Sequence, residues 1–116
     1  MTYKNEFGTD FELGFNLANY PYLHDKSWHN DLSPSFYFKV NQQYYVLWVD
    51  YAELHKREDT CCRYLIQEAI NEGNDVSPEI YSSNGSVIFE NESSKELEEF
   101  LNNLMLNNMQ NCKTLN

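Results

Sequence analysis

The sequence predicts an α+β fold, in which a mainly antiparallel sheet of about four to six strands carries a C-terminal α-helix packed on one face. Three observations lead to this prediction. Two β-rich runs in residues 35–53 are joined by a short polar turn. Residues 79–91 hold a second pair of β-rich runs around an Asn-Gly dipeptide. Residues 92–108 have the apolar spacing of an amphipathic helix.

The first predicted strand covers residues 11–17, where apolar positions alternate with polar ones or glycine. This is the period of a strand with one buried face, and a helix is the weaker alternative. The apolar positions are Phe11, Leu13, Phe15 and Leu17. Residues 18–35 then contain two prolines with several Asn, Asp and Ser, and we interpret them as a long loop. Loops of this length inside a compact domain tend to be functional.

Residues 35–53 carry the clearest structural signal, a β-hairpin that turns through residues 41–43. In the first arm, three apolar residues share one face: Phe36, Phe38 and Val40. The second arm is apolar on both faces, with Val46 and Trp48 opposite Leu47 and Val49. This pattern predicts an inner strand that is covered on both sides.

Residues 59–73 fit two structures equally well. Apolar residues recur there at helical spacing before Gly73, whereas residues 63–70 fit a strand as well. The following segment is clearer, because Asn84-Gly85 between β-rich runs is a strong hairpin signal. We therefore predict two more strands that are paired through a turn at this dipeptide.

The C-terminal helix is predicted to begin after Ser93, the N-cap of a capping box closed by Glu96. One apolar stripe follows, which should cover one face of the sheet. The stripe consists of Leu97, Phe100, Leu101, Leu104 and Met105. A chain of 116 residues has the size of one domain, which we place at residues 1–106. A polar, frayed tail is predicted at residues 107–116.

The charge balance narrows the classes of function. The chain has 18 Asp and Glu residues but 8 Lys and Arg residues, which gives a formal net charge of -10. Such a surface repels nucleic acid and anionic membranes, which are bound through Lys and Arg, so neither is an expected direct partner. It attracts a cationic protein and speeds the encounter by long-range steering. Charge alone leaves open the simpler interpretation, in which the acidity only improves solubility.

The expected location is the cytoplasm. No apolar run approaches the length of a membrane span, and the start MTYKNEFGTDFE lacks the basic and hydrophobic regions of a secretion signal. Cysteine usage agrees with this location, because Cys61 and Cys62 are adjacent, Cys112 lies in the tail, and the count is odd. Reduced thiols are expected.

Residues 24–36 contain a cluster of side chains that are able to bind metals: His24, Asp25, His29 and Asp31. A loop between two prolines provides no scaffold that holds three ligands together, and the spacing matches no zinc signature. We predict no metal and no other cofactor. Trp28 is instead expected to dock as an anchor, with Asp31 and Ser33 bonded to local backbone in turns.

Catalytic chemistry has little support in this sequence. Cys61 or Cys62 with a histidine would provide a nucleophile and a base, but Glu58 and Asp59 oppose formation of the thiolate. The histidines are His24, His29 and His55. Paired carboxylates belong to a helix start or a strand end, and no nucleotide-binding or hydrolase motif is present. We predict inert cysteines, no catalytic residue and no enzyme activity.

The predicted surface mixes carboxylates with aromatic rings in the long loop and after the inner strand. Protein interfaces favour Tyr and Trp anchors, and charge complementarity sets rate and specificity. We predict a partner-binding surface made of Tyr20, Tyr22, Asp25, Trp28, Asp31, Asp50, Tyr51, Glu53, Glu58 and Asp59. Under the simpler interpretation, many of these aromatic residues belong to the core.

These observations indicate a small acidic inhibitor that binds a basic protein stoichiometrically, as an immunity protein binds a toxin domain that attacks nucleic acid. Its carboxylates would occupy the cationic surface where the toxin holds phosphates. One alternative is a nucleic-acid mimic that blocks a host or phage-defence protein, which requires carboxylates spaced like phosphates. A third is an uncharacterised enzyme with a Cys/His pair. The oligomeric state is left open.

Overall fold

The computed structural model describes residues 2–58, 62–82 and 85–114, with side chains up to residue 107. These residues form a six-stranded antiparallel sheet and a long C-terminal helix, so the predicted α+β class is confirmed. In chain order the elements are α1 (Tyr3–Phe7), β1 (His24–Asp25), β2 (Ser35–Val40), β3 (Gln43–Val49), β4 (Tyr64–Asn71), β5 (Ile80–Tyr81), β6 (Val87–Asn91) and α2 (Ser94–Thr114). Leu17–Asn19 and Leu54–Lys56 are short 3-10 helices.

β2 and β3 form the predicted hairpin, and β3 lies inside the sheet between β2 and β4. Residues 41 and 42 make the turn, where Asn41 has a φ of 56°, a left-handed conformation that Asn adopts more readily than most residues. The neighbours Val46 and Leu47 point to opposite faces of β3, and both are fully buried. The prediction of an inner strand covered on both sides is therefore confirmed.

β4 resolves the ambiguity in residues 59–73, of which residues 59–61 lie outside the described part of the chain. Tyr64–Asn71 is a strand. It pairs with β3 along one edge and with β5 and β6 along the other. A helix at this position would leave the backbone groups of the neighbouring strands without these partners, which is costly in a buried sheet. Tertiary pairing therefore outweighs the helical spacing of the apolar residues.

The predicted hairpin at Asn84-Gly85 is wrong, although both of its strands exist. β5 and β6 each pair with β4 and follow one another along the same edge of that strand. Asn84 lies outside the described residues. Gly85 lies against the backbone of β4, where an added Cβ would be 1.6 Å from the carbonyl oxygen of Glu68. The glycine thus permits a close approach of two backbones, which is the other common reason for glycine near a strand.

The predicted strand at residues 11–17 is also wrong, because this segment is not paired as a strand. Its alternation is real, and Leu13 is buried in the core. Two side chains, one from the first residue of β4 and one from the residue before it, bind the backbone carbonyls that a neighbouring strand would bind. Tyr64 Oη donates to the carbonyl of Leu13 (2.6 Å), and Arg63 Nη2 donates to the carbonyl of Glu12 (2.8 Å). An alternating pattern therefore indicates one buried face, and strand pairing is a separate condition.

α2 packs on one face of the sheet, as predicted. Leu97 and Leu101 are fully buried in the core, and the rest of the predicted stripe is partly buried against it. Ser93 Oγ accepts a hydrogen bond from the N–H of Glu96 at 3.3 Å. The N–H of Ser93 donates instead to Asn91 Oδ1 (2.8 Å), so only one half of the predicted capping box forms.

α2 continues to Thr114, past the predicted boundary between domain and tail at residues 106 and 107. The backbone of residues 107–114 is therefore helical, and the domain boundary itself stays a prediction. Within the described ranges, the helices lack the combination of length and apolar character that crossing a lipid bilayer requires.

The main core lies between the sheet and a layer built from α2 and residues 3–23. It contains Phe11, Leu13, Tyr20 and Leu23 from the N-terminal segment, with Phe36, Phe38, Leu47, Val49, Tyr64 and Ile66 from the strands. A smaller cluster lies on the opposite face of the sheet. It consists of Val46, Ala69 and Ile80, flanked by the partly buried rings of Tyr37, Tyr44 and Trp48.

Candidate functional site

The loop between β1 and β2 is held by a buried serine. Ser27 is fully buried, and its Oγ accepts a hydrogen bond from the N–H of Ser35 (3.1 Å) and donates to the carbonyl of the same residue (3.3 Å). Trp28 is 47% exposed and packs edge-to-face on His29, with ring centroids 5.8 Å apart. The prediction that Trp28 docks as the anchor is therefore wrong, because Ser27 forms that contact and leaves the indole at the surface.

Three of the four residues of metal-ligand type in residues 24–36 have separate contacts. His24 stacks on the ring of Tyr37, with centroids 4.8 Å apart. Asp25 accepts hydrogen bonds from two backbone N–H groups, at 2.7 and 3.0 Å. His29 Nδ1 lies 3.2 Å from Glu6 Oε2. In the described part of the chain, no group of three or more His, Cys, Asp or Glu residues is placed to hold a metal ion.

Two predicted interface tyrosines lie in or against the core. Tyr20 is 5% exposed, and its hydroxyl donates to Glu98 Oε1 (3.0 Å). Burial, reinforced by the Glu98 carboxylate, raises the pKa of Tyr20 to about 12. Tyr22 packs edge-to-face on Phe38, and burial raises its pKa to about 12 as well. In the sequence both rings stand in a polar loop, so the pattern does not distinguish core aromatics from interface aromatics.

Three of the predicted residues that follow β3 line two neighbouring depressions, one of which also includes Asp31 of the loop: Tyr51, Glu53 and Glu58. Asp31, Tyr51 and Glu58 line a depression of about 560 Å³, together with Lys56. Tyr51 and Lys56 also line a second depression of about 320 Å³, beside Glu53. Tyr51 is therefore shared by both depressions.

Three further carboxylates in these depressions were missed in the sequence. Glu6, Asp10 and Glu12 line the same depressions, because α1 and the turn after it fold beside the 3-10 helix Leu54–Lys56. A helix of five residues carries no periodic pattern; the detectable signal was Thr2, whose Oγ1 caps it by accepting from the N–H of Asn5. We name the combined set the Tyr51 surface, which consists of Glu6, Asp10, Glu12, Asp31, Tyr51, Glu53, Lys56 and Glu58.

Tyr51 is held firmly at the centre of this surface. Its ring packs on Phe11 with centroids 4.9 Å apart, and its carbonyl accepts a hydrogen bond from Arg57 Nε (2.6 Å). Lys56 Nζ lies 5.9 Å from the centroid of the ring and 3.9 Å from Glu53 Oε2. Among the described residues, one lysine thus faces six carboxylates, and the surface as a whole is negative.

Asp31 and Asp50 also line a cavity of about 360 Å³ on the sheet face opposite α2, together with Trp48 and Leu65. Cys62 is a free thiol in its wall. The described lining of this cavity contains no histidine. The described part of the chain does not include the predicted interface residue Asp59, the cysteine Cys61 or the side chain of Cys112. The absence of enzyme activity therefore stays a prediction.

Comparisons with protein-family models, with curated proteins and with solved structures found no significant match to this chain.

Proposed function

We propose that this protein binds a basic protein and inhibits it stoichiometrically, as an immunity protein inhibits a toxin domain that attacks nucleic acid. The observation that carries the proposal is the Tyr51 surface. Its carboxylates line two depressions that share Tyr51, whose ring is packed on Phe11. Tyr is a favoured interface anchor because its ring offers a large contact area at low entropic cost.

The inhibitory mechanism is occlusion. A protein that attacks nucleic acid carries Lys and Arg where it holds phosphates. The Tyr51 surface would place carboxylates on those cations, and the net charge of -10 would accelerate the encounter. Trp28, exposed in the neighbouring loop, would add apolar contact area at the rim.

The alternative is mimicry of DNA or RNA, directed at a host or phage-defence protein. Mimicry requires carboxylates that follow one face at the spacing of backbone phosphates. Six described carboxylates are instead grouped around Tyr51, and this compact arrangement favours a dedicated protein inhibitor over a nucleic-acid mimic. A cytoplasmic location belongs to the same proposal, because the inhibitor must meet its target there.

The test is an affinity pull-down from native cell extract, followed by titration of the complex with salt. We expect a basic protein to co-purify, and its affinity to fall as salt screens the carboxylates. Glu53→Gln with Glu58→Gln should weaken binding roughly tenfold, mainly through a slower association rate. The matched control is Glu96→Gln with Glu99→Gln, which removes the same charge from exposed positions on α2 and should leave affinity within about twofold.

Two outcomes would contradict the proposal. Either no basic protein co-purifies, or binding is insensitive to salt. A third outcome would replace it with mimicry: the captured protein binds nucleic acid, DNA or RNA displaces it, and both pairs of substitutions weaken binding equally.

A further inference from the structure

We propose that the cavity beside Trp48 receives a single arginine side chain of the basic partner. This inference rests on the proposed function and adds the contact chemistry of an anchor residue. We name the site the Trp48 cavity, and its described lining consists of Asn30, Asp31, Leu32, Ser33, Trp48, Asp50, Cys62, Arg63, Leu65 and Gln67.

The size and the walls of the Trp48 cavity suit one long side chain. Its volume of about 360 Å³ lies at the lower end of the range for small ligand sites, which are mostly apolar with a few polar groups. Trp48, Leu32 and Leu65 provide apolar surface for the methylene groups of an arginine. Leu32 is 57% exposed, so this wall faces solvent in the free protein.

The Trp48 indole is fixed before any partner binds. Its Nε1–H donates to Gln67 Oε1 on the neighbouring strand at 3.2 Å, and its backbone pairs with Leu65 in the same sheet. A held aromatic ring costs little conformational entropy on binding. A guanidinium placed over such a ring gains a cation–π contact.

Two described acidic residues line the cavity, and each has a cation of this chain nearby: Lys26 for Asp31 and Arg57 for Asp50. Asp31 follows Trp28 in a turn closed by a hydrogen bond from its own N–H to the Trp28 carbonyl (2.9 Å). Asp50 leaves the end of β3, where its Oδ1 accepts from the N–H of Tyr51 (2.8 Å). Carboxylates beside an apolar wall are the complement of a cationic head on an apolar stem.

Among the described residues, three cations of this chain lie near the cavity: Arg57, whose charge interacts with that of Asp50 in the wall, and also Arg63 and Lys26. Arg63 is in its wall, but the guanidinium donates to the Glu12 carbonyl (2.8 Å) and lies 5.3 Å from the Tyr64 ring centroid. Lys26 Nζ lies 5.5 Å from the centroid of the Trp48 ring. Strand order places Lys26 on the β1 side of the indole and the cavity on the β4 side.

Lys26 also shows that this ring tolerates a cation. Burial lowers the pKa of Lys26, while the charge of Asp31 acts in the opposite direction. An arginine suits a cavity walled by Trp48, Leu32 and Leu65 better than a second lysine. Its guanidinium is planar, more weakly hydrated and always charged, and it binds carboxylates through two parallel hydrogen bonds.

The Trp48 cavity is continuous with the Tyr51 surface. Asn30, Asp31 and Leu32 line both the cavity and the larger of the two depressions beside Tyr51. One partner would therefore cover the Tyr51 surface and place its arginine side chain in the adjoining Trp48 cavity. Buried anchors flanked by a polar rim are the usual arrangement of a protein interface.

The test uses short peptides and needs no knowledge of the partner. The unmodified protein is titrated with acetyl-Gly-Arg-Gly-amide while the indole N–H signal of Trp48 is followed by NMR. The sequence has two tryptophans, so the Trp28→Phe variant serves only to assign that signal. The control peptide replaces arginine by citrulline, which keeps the shape and removes the charge, and a third peptide carries lysine.

We expect a saturable shift of the Trp48 signal with the arginine peptide, and affinity at least fivefold lower with citrulline and with lysine. Asp31→Asn should weaken binding of the arginine peptide severalfold. Glu53→Gln, on the Tyr51 surface but outside the cavity, is the matched control and should leave peptide binding unchanged. The comparison of peptides uses the unmodified chain and does not depend on the folding of any variant.

Equal responses to arginine and citrulline, or no saturable shift, would overturn the inference, and equal binding of lysine would overturn the choice of arginine. The two proposals fail separately. If the arginine peptide binds but no basic protein is captured, the cavity assignment stands without the inhibitor function. If a basic protein is captured but the arginine peptide does not bind the Trp48 cavity, the anchor fails while the function stands.

Discussion

Arg57 donates hydrogen bonds to both carboxylate oxygens of Glu92, from Nη1 to Oε1 at 2.8 Å and from Nη2 to Oε2 at 2.7 Å. The Arg57 side chain is 1% exposed, whereas that of Glu92 is 58% exposed. Arg57 also donates to the carbonyls of Tyr51 and Ala52. The pair thus ties the segment after β3, which carries much of the Tyr51 surface, to the end of β6.

Glu92→Gln is expected to destabilise the fold, because it removes the charged carboxylate that accepts hydrogen bonds from both terminal nitrogens of the buried Arg57. We expect a loss of about 1–2 kcal/mol, below the cost of breaking a fully buried pair, since solvent screens the exposed Glu92. Chemical denaturation followed by circular dichroism measures it. Glu99→Gln, exposed on α2, is the matched control and should change stability by less than about 0.5 kcal/mol.

The same pair predicts a pH dependence with a defined sign. The hydrogen bonds from Arg57 hold the pKa of Glu92 below its ordinary value of 4.5. A lowered folded-state pKa contributes stability that is present above pH 4.5 and is lost as the pH falls through the folded-state pKa. The stability difference between the unmodified protein and Glu92→Gln should therefore shrink below pH 4.5. A difference that stays constant down to pH 2 would contradict this account.

Gly14→Ala is expected to destabilise the N-terminal segment by at least about 2 kcal/mol. Gly14 has a φ of 86°, and an added Cβ would lie 2.1 Å from Tyr64 Oη. The hydroxyl cannot retreat freely, because it donates to the Leu13 carbonyl. Thr9→Ala, at an exposed position of the same segment, is the control and should have little effect.

Tyr64→Phe separates the clash with the hydroxyl from the other causes of the Gly14→Ala effect. Removing the hydroxyl relieves the clash with Tyr64 Oη, but neither the backbone strain nor the 2.9 Å approach to Arg63 Nη1, so the double variant should lose less stability than the sum of the single variants. Additive losses would show that the clash with the Tyr64 hydroxyl contributes nothing to the cost.

The loop between β1 and β2 should depend on Ser27 and not on Trp28. Ser27→Ala removes both hydrogen bonds to Ser35 and leaves a buried N–H without its acceptor, at a cost of about 1–3 kcal/mol. Trp28→Ala should change stability by less than about 1 kcal/mol, because nearly half of its surface is exposed. Thermal unfolding of the two variants measures their losses of stability relative to the unmodified protein. A larger loss for Trp28→Ala would restore the indole as the anchor of the loop.

Under the proposed function the two substitutions should affect partner binding in the opposite order. Trp28→Ala should weaken capture of the basic protein, since the indole is available for contact. Ser27→Ala should act on binding only as far as it unfolds the loop. Equal, unaltered capture by both variants would give the loop a purely structural role.

Local and periodic features were predictable from this sequence. The β2–β3 hairpin follows from alternation on both sides of a polar turn, and the apolar stripe of α2 follows from helical spacing, because each pattern lies within one contiguous segment. The single buried face of residues 11–17 was also predicted correctly, since burial of alternate side chains is recorded in the pattern itself.

Pairing and proximity were decided by the tertiary structure. Tyr64–Asn71 is a strand because β3 and β6 both pair with it. Residues 11–17 are not paired as a strand, because the side chains of Tyr64 and Arg63 donate hydrogen bonds to the carbonyls of Leu13 and Glu12. The Tyr51 surface unites residues 6–12, 31 and 51–58, which no sequence spacing connects. Composition alone determined that the chain is acidic and rich in aromatic residues. Only the packing decided that Tyr20 is buried and that Tyr51 lies among carboxylates. The reason is that burial depends on contacts between segments that are distant in sequence.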